Sequence, residues 1–423
     1  MISRKQILIG TAGLCIRPSK LLGGADLHYL RDLAGRTIAS ATKRDSIPTL
    51  GFAAVTPGGN YPAIWVRDFS MAAGCGLLTS PQIHDHLRLF ARCQADETRK
   101  LRSGAVIPSG AIPDHVNYDG TPVFYPGTYS PGEDQGGEPW GIYPPVDDHY
   151  ELVHLAFVLW TRLRSVDFLG ERIRGSTLFD RLWKAMNCPS SDPATGLVVT
   201  EAATRAVGFG FCDSIYITGS LLFASLLRFR ALREMKELAT ALGRHQGASD
   251  CRTMSGRISR SIAPMFLKDG WLLAATGVGS QPDVWGTAFA VYVRALPSSV
   301  SRVCCRTLAD ATRRGTITFK GAVRHVPTDH DFSATSAWVK TAGEPVNTYQ
   351  NGAFWNVPTG WLAAALSLTD RALARKVVAD MVREFQEDDG NGAPWECIYG
   401  DRYRNNPVYM ASVTLPLEVL QRP

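Results

Sequence analysis

Two acidic residues of this sequence stand among aromatic and apolar neighbours. Asp213 lies in residues 208–214 (GFGFCDS), and Glu396 lies in residues 394–399 (PWECIY). Apolar surroundings disfavour the charged form of a carboxyl group and raise its pKa, as a general acid requires. No basic residue lies between Arg205 and Arg228 to oppose this effect at Asp213. The pattern predicts a protonated Asp213, and the alternative is a plain helix cap.

A third acid belongs to a group typical of sugar binding, in residues 61–69 (YPAIWVRDF). Charged groups such as Arg67 and Asp68 bond pairs of sugar hydroxyls, and an aromatic face such as that of Trp65 packs against sugar C–H groups. The alternative is a buried structural ion pair beside a core tryptophan.

Residues 144–151 (PPVDDHYE) place two adjacent acids at a predicted helix start. Such acids often cap the helix and interact favourably with its dipole. We expect one of them to serve as a cap and the other, Asp148, to face a cavity and contact substrate.

Most tryptophans fall in loops rather than in predicted helices, which indicates a cavity with stacking platforms. Residues 349–361 (YQNGAFWNVPTGW) and the shorter run 283–287 (DVWGT) combine polar groups with large aromatics. The loop at 103–146 is long but rich in aromatics, so we expect it to be ordered and to form a wall. The substrate-binding residues predicted from these loops are Trp285, Gln350, Asn351, Trp355, Trp361 and Trp395.

Helical periodicity dominates the elements that would carry these loops, for example at 147–166, 214–243 and 370–386. Several helices are apolar on more than one face, which favours a layered all-α architecture. No linker divides the chain, so we expect one domain over residues 25–423. Residues 1–24 are either an export leader or an N-terminal extension. A leader would make the protein periplasmic or secreted, and otherwise we expect a cytoplasmic one.

Composition excludes several functions. The chain has 423 residues and a net charge of +6, without a Lys/Arg-rich run or nucleic-acid-binding motif, so a nucleic-acid partner is not expected. No stretch approaches the ~20 apolar residues of a membrane span. The nine cysteines lack metal-binding spacing, and we predict no metal site. No signal specifies an oligomeric state.

Several motifs follow one another in a recognisable order. W-x-R-D-F comes first, then G-x-x-D-S before a long helix, N-G-x-x-W-x-x-P-x-G-W, and finally W-E-x-x-Y followed by Y-x-A-S. This order resembles the six-hairpin (α/α)6-barrel glycoside hydrolases, in particular the processing α-glucosidase, mannosylglycerate and glucosylglycerate hydrolase group. The resemblance covers about residues 45–423. It implies an all-α (α/α)6 toroid barrel whose aromatic-rich loops form the active-site face.

The resemblance also implies roles for three carboxylates. Asp213 matches the general acid, Glu396 the general base and Asp68 a sugar-binding carboxylate. Two departures concern Cys212, where the group often has Trp or Met, and Asn351, which replaces an Arg of Y-W-R-G-x-x-W. The second departure bears on the identity of the substrate more than on the reaction.

The implied reaction is inverting hydrolysis of a carbohydrate, such as an α-linked glucoside or a related small saccharide. Asp213 would protonate the leaving oxygen while Glu396 deprotonates a water on the opposite face of the sugar. The two carboxyls would then lie roughly 6.5–9.5 Å apart. No metal or redox cofactor is required.

Two other interpretations remain open. One is a sugar epimerase or a uronyl hydrolase on the same barrel. Epimerases of this architecture use histidines as proton-transfer bases, and His325 and His330 (RHVPTDHDF) are the candidates. A non-catalytic carbohydrate-binding protein would keep the aromatics without needing two isolated acids. Cys212 and Cys397 each adjoin one of these acids, and a nucleophilic cysteine is a weaker alternative.

Overall fold

The computed structural model describes residues 14–16, 18, 20–43, 49–330 and 344–421. Most of the N-terminal segment predicted as a leader or extension lies outside these residues, as does Trp338, one of the tryptophans predicted to lie in a loop. Of the described part of that segment, Ile16 and Leu21 are buried in the core, and the Ile16 N–H donates to the carbonyl of Tyr292 (2.8 Å).

Twelve α-helices form a little under half of the part of the chain that is described. They are α1 (Gly24–Ala41), α2 (Val66–Ala73), α3 (Ser80–Cys93), α4 (Asp147–Leu163), α5 (Leu178–Met186), α6 (Leu222–Ala241), α7 (His245–Phe266), α8 (Val284–Tyr292), α9 (Ser298–Arg314), α10 (Thr359–Leu366), α11 (Arg371–Glu387) and α12 (Ala411–Leu420). Three short 3-10 helices cover Asp167–Gly170, Ala202–Thr204 and Gly210–Cys212.

The helices alternate between an inner ring and an outer layer. The even-numbered helices contact one another in chain order, from α2 to α12, and α12 contacts α2 again. The odd-numbered helices pack outside them: α1 on α12, α3 and α5 on α4, α7 on α6, α9 on α8 and α10, and α11 on α10. The predicted all-α fold of paired helices, of the (α/α)6 type, is confirmed.

Burial explains why the two layers have different sequences. Every residue of α8 and of α10 is buried, because inner helices pack on both sides. The outer helix α9 buries a single face of small and apolar residues, including Cys304, Leu308 and Ala311. Helices that are apolar all round therefore form the ring, and amphipathic helices cover it. Among the described residues, no helix combines the length and apolar character needed to cross a bilayer.

Short antiparallel strands lie in the loops between helices. They are β1 (Thr42–Lys43), β2 (Ala54–Val55), β3 (Ile64–Trp65), β4 (Arg99–Lys100), β5 (Val106–Ile107), β6 (His115–Val116), β7 (Pro122–Val123), β8 (Arg172–Ile173), β9 (Ser176–Thr177), β10 (Val199–Thr200), β11 (Gly219–Ser220), β12 (Leu267–Lys268), β13 (Trp271–Leu272), β14 (Thr318–Phe319), β15 (Ala322–Arg324), β16 (Phe354–Trp355), β17 (Cys397–Tyr399) and β18 (Tyr403–Asn405).

Two small sheets matter for the site. Strands β14 to β18 pair in chain order, with Phe354 opposite Ile398 and Cys397 opposite Asn405. Strand β6 pairs with both β3 and β7, and this pairing sets Trp65 opposite His115. The sheets thus join loops that are far apart in the sequence.

One predicted helix begins later than expected. The sequence pattern predicted a helix from residue 214, but α6 begins at Leu222. Gly219 has a φ of +89°, which an α-helix does not allow, and it pairs with Thr200 as part of β11. Asp213 therefore lies in a loop well ahead of the helix instead of at its start.

Candidate active site

A cavity of about 280 Å³ lies at the end of the ring where the inner helices begin. Asp213 and Glu396 both line it, together with Trp65, Arg67 and Asp68. Arg67 and Asp68 belong to the first turn of α2, where the positive end of the helix dipole favours carboxylates. Five of the residues predicted from three separate motifs therefore meet at one cavity.

Asp213 follows the 3-10 helix Gly210–Cys212 and is half-buried in the cavity wall. Burial raises its pKa to about 7, against the lowering effect of the Arg67 charge and with a further increase from Asp114. Gln350 holds the loop on both sides of the acid. Its Oε1 accepts from the backbone N–H and the hydroxyl of Ser214 (both 2.9 Å), and its Nε2 donates to the carbonyl of Gly210 (2.9 Å).

The sequence neighbourhood of Asp213 contains no cation, but the fold brings one close. The guanidinium of Arg67 packs directly on Gly210, where an added Cβ would lie 1.8 Å from the Arg67 Cζ atom. The expectation that no basic side chain opposes the raised pKa of Asp213 is therefore wrong. Burial nevertheless has a larger effect on the pKa of Asp213 than Arg67 has, because the Arg67 guanidinium is surrounded by other carboxylates.

Three aspartates surround Arg67. Its Nε donates to Asp147 Oδ2 (2.5 Å), and its second terminal nitrogen reaches Asp114 Oδ1 (3.3 Å) and Asp148 Oδ2 (3.4 Å). Burial lowers the pKa of Arg67, but the charges of Asp147 and Asp148 raise it by more. The guanidinium is a fixed cation whose charge is already compensated.

Glu396 is fixed by the backbone of the five-stranded sheet. Its N–H donates to the carbonyls of Asn405 and Asn406 (both 3.1 Å), and the residue is only 2% exposed. The hydroxyl of Tyr61 donates to Glu396 Oε1 (2.7 Å). Burial raises the pKa of Glu396 to about 8, the Tyr61 bond lowers it, and the charges of Asp68 and Asp213 raise it further.

Two glycines allow the Tyr61 loop to approach Glu396. Gly58 (φ +94°) and Gly59 (φ +57°) pass so close to residues 406–408 that a Cβ would lie 2.2 Å from the Val408 oxygen or 2.0 Å from Asn406 Oδ1. Only glycine fits these positions. The close approach carries Tyr61 to the carboxylate.

Asp68 is buried and does not pair with the adjacent Arg67. It accepts a hydrogen bond from the hydroxyl of Tyr409. Burial raises the pKa of Asp68 to about 6, although the Arg67 charge and the Tyr409 bond lower it. An acceptor held in this way suits the hydroxyl groups of a ligand.

Other predicted residues lie behind the cavity wall. Asp148 is fully buried beside Arg67, and Gln350 is fully buried in its bonds to the Asp213 loop. Asn351 donates to the carbonyl of Glu344 (2.8 Å), which itself lines the cavity. We predicted that these three residues contact substrate, but none of them lines the cavity. They are placed to support the residues of the cavity wall.

The tryptophans divide into two groups. Trp65 lines the cavity, as does Trp140 of the long loop. The second group packs in the core below and is among the largest fully buried side chains: Trp285, Trp355 and Trp361. Trp395 is half-buried, and its Nε1 donates to Asp388 Oδ2 (3.1 Å). Trp285 and Trp361 belong to helices α8 and α10 rather than to loops, so the sequence did not distinguish stacking platforms from core residues.

Sequence reasoning missed several wall residues. His115 stacks on Trp65 with ring centroids 4.6 Å apart, and its Nδ1 bonds Asp114 Oδ2 (2.8 Å). Its buried Nε2 has no hydrogen-bond partner among the described residues. Tyr129 lies at the mouth, 49% exposed, with its ring edge toward Trp65. The only available signal was the aromatic content of the loop, since strand pairing with Trp65 is not visible in the sequence.

The residues of the alternative interpretations lie elsewhere. His325 is buried against Trp285, where burial lowers its pKa to about 3, and His330 is exposed beside Asp329. Burial raises the pKa of the Cys212 and Cys397 thiols, so neither is poised as a thiolate. Among the described residues, no group of three or more His, Cys, Asp or Glu side chains is arranged to hold a metal ion.

The sequence matches no family model and no curated protein. Solved structures share its fold. One named "Glycosidase Wild Type" is 15% identical, with a TM-score of 0.57 over 95% of this chain and 98% of that one. The GH63 mannosylglycerate hydrolase from Thermus thermophilus in complex with glucose is 13% identical, with a TM-score of 0.58 over 92% and 99%. A GH78 family rhamnosidase of a Bacillus species is 11% identical, with a TM-score of 0.58 over 94% and 35%.

Proposed function

We propose that this protein is a glycoside hydrolase that cleaves a small saccharide with inversion of the anomeric centre. The proposal rests on one observation. Asp213 and Glu396 come from distant motifs, and both line one cavity together with Trp65 and Asp68, which belong to the motif typical of sugar binding. The fold shared with proteins named as glycosidases supports the same conclusion. The glucose bound in one of them favours a glucoside or a related hexoside as substrate.

In the proposed mechanism Asp213 donates a proton to the glycosidic oxygen, and Glu396 accepts a proton from the attacking water. Asp68 accepts hydrogen bonds from sugar hydroxyls, and the Trp65 ring packs against the apolar face of the sugar. Tyr61 orients the Glu396 carboxylate. The bond between the anomeric carbon and the leaving oxygen breaks as the water oxygen bonds to the opposite face.

The pKa values set an unusual order for these roles. The acid, Asp213, has a pKa of about 7 and the base, Glu396, about 8. When the pair holds one proton, that proton is therefore divided between the two carboxyls, and the active form is the one that carries it on Asp213. We expect a bell-shaped pH profile with limbs near these two values.

Free sugar release from α- and β-linked glucosides, mannosides and glycerate glycosides would test the proposal. Proton NMR of the first-formed anomer gives the stereochemistry. An inverted anomer is expected. Retention would assign Glu396 or Asp213 as a nucleophile, and silence across the panel with saturable sugar binding would favour a binding protein.

One observation favours an epimerase as second candidate. His115 is oriented by Asp114 and lines the cavity, as a proton-transfer base would. An epimerase would exchange a carbon-bound proton of a free sugar with solvent. Incubation of free hexoses in D2O, followed by NMR, separates the two candidates, because a hydrolase incorporates no deuterium at carbon.

A further inference from the structure

The cavity wall carries more acidic than basic side chains. Five of its described lining residues are acids, and Arg67 and His115 are its basic ones. The acids are Asp68, Asp114, Asp213, Glu344 and Glu396. A ligand in this cavity therefore meets carboxyl groups on several sides.

The one permanently charged cation among the described wall residues does not offset this excess. Arg67 is already bonded to Asp114, Asp147 and Asp148 at 2.5–3.4 Å, so its charge is compensated within the protein before any ligand arrives. Burial raises the pKa of Asp114, but the bond from His115 and the charge of Arg67 together hold it below the usual value. Asp114 is thus an anion within the wall.

The shape of the cavity indicates which part of a substrate meets which group. Asp68 and Glu396 are buried at its base, whereas Tyr129 is half-exposed at its mouth and Glu344 is partly exposed. A sugar bound by the buried acids would direct its leaving group toward the more exposed wall residues Tyr129, Trp140 and Glu344. Aromatic faces and a carboxylate provide no pairing partner for an anion.

We propose that the leaving group of the natural substrate is uncharged, and that the cavity discriminates against leaving groups that carry a carboxylate. This inference rests on the proposed hydrolase activity. The hydroxyl groups of a neutral polyol or of a second sugar donate hydrogen bonds to the carboxylates of the cavity wall. A carboxylate in the same place shares the cavity with the Asp114 anion and with Glu344, and like charges repel one another at low dielectric.

Matched substrate pairs test the inference. Glucosylglycerol and glucosylglycerate differ chiefly in the charge of the leaving group, as do mannosylglycerol and mannosylglycerate. We expect kcat/KM to be at least about tenfold higher for the neutral member of the pair that is cleaved. Equal rates, or faster cleavage of the glycerate compound, would overturn the inference and leave the hydrolase proposal intact. Cleavage of no glycoside in the wider panel would instead refute the hydrolase itself.

Two further measurements show whether charge causes the preference. Raising salt from about 0.01 M to about 1 M shortens the screening length from about 30 Å to about 3 Å. The ratio of kcat/KM for the neutral substrate to kcat/KM for the charged one should therefore fall. Glu344→Gln removes one wall carboxylate and should also lower this ratio. Glu133→Gln, at an exposed loop residue outside the cavity, is the matched control. A ratio that neither salt nor E344Q changes would refute the charge mechanism.

Discussion

The loop that carries Asp213 and the strand that adjoins Glu396 hold their carboxyls in different ways. Asp213 follows a single 3-10 turn, and its loop is fastened by side chains, with Gln350 on Ser214 and Gly210 and with Asp147 accepting from the Gly210 N–H (2.9 Å). Glu396 is fastened by its own backbone to β18 and to the residue after it.

This difference has a consequence for function. A loop held by side chains can be displaced by one substitution, while a segment held by main-chain bonds cannot. In the proposed mechanism Asp213 follows the leaving oxygen as the glycosidic bond lengthens, whereas Glu396 keeps a water in one place. We infer that the acid side of the cavity is adjustable and the base side rigid.

The largest effects are expected when either carboxyl loses its proton chemistry. Asp213→Asn and Glu396→Gln keep the shape of each side chain, so each should lower kcat by about 10²–10⁴-fold. Thermal unfolding should show a native fold for both variants. The measurement is initial-rate kinetics on the best substrate of the panel.

Matched controls exist for both substitutions. Burial raises the pKa of Asp283 and of Glu384 to about 7, but neither lines the cavity. Asp283→Asn and Glu384→Gln should therefore leave kcat near the wild-type value. Losses as large as those of D213N and E396Q would mean that any buried carboxyl matters, and the assigned roles would fail.

The next effect concerns the fastening of the acid loop. Gln350→Ala removes the acceptor of the Ser214 N–H and the donor to Gly210, and leaving such buried groups unsatisfied costs about 1–3 kcal/mol. A misplaced acid should lower kcat by about 10- to 100-fold, with a smaller change in KM. Steady-state kinetics on the same substrate measures both parameters.

Asn351→Ala is the control, because Asn351 is an adjacent buried amide that bonds the Glu344 backbone instead. If Q350A and N351A lower kcat equally, the acid loop is not specifically held by Gln350. Full activity of Q350A would show that the loop keeps its position without this clamp.

A smaller effect is expected on the base side from Tyr61→Phe. The Tyr61 bond lowers the pKa of Glu396, so its loss raises that pKa and the alkaline limb of the pH profile moves upward from about 8. If the Glu396 pKa rises by about one unit, less of the enzyme has Asp213 protonated and Glu396 ionised. At pH values between the two limbs this active fraction falls by up to about tenfold. The acidic limb, near 7, should stay in place.

The pH profile of kcat/KM measures this shift, and Tyr399→Phe on the same sheet is the control, since Tyr399 packs on Phe354 away from the cavity. A downward shift of the alkaline limb in Y61F would contradict the assignment of that limb to Glu396.

Much of the fold was visible in local patterns. Helices that are apolar on more than one face predicted the layered architecture, and the apolar frames of Asp213 and Glu396 pointed to their raised pKa values. Helix α1 was missed although its buried residues Leu30, Leu33 and Thr37 follow helical spacing. Helix α9 was missed because its buried face consists largely of cysteines and small residues.

What local patterns could not supply was long-range pairing. His115 reaches the cavity because β6 pairs with β3, and Tyr61 reaches Glu396 because two glycines permit a close approach to residues 406–408. The cation beside Asp213 comes from Arg67, far away in the sequence. Each of these contacts depends on the assembled ring, so no window of sequence contains it.

The smallest effect is expected from Trp395→Phe, next to the base itself. The substitution removes the bond from Trp395 Nε1 to Asp388, but Asp388 keeps Arg404 Nε as a partner (3.3 Å). The loss should cost about 1 kcal/mol of stability and lower Tm by about 1 °C, measured by thermal unfolding. Because main-chain bonds to residues 405 and 406 hold Glu396, kcat/KM should be unchanged. A tenfold loss of kcat in W395F would show that the base also depends on side-chain fastening, and the contrast between an adjustable acid and a rigid base would be wrong.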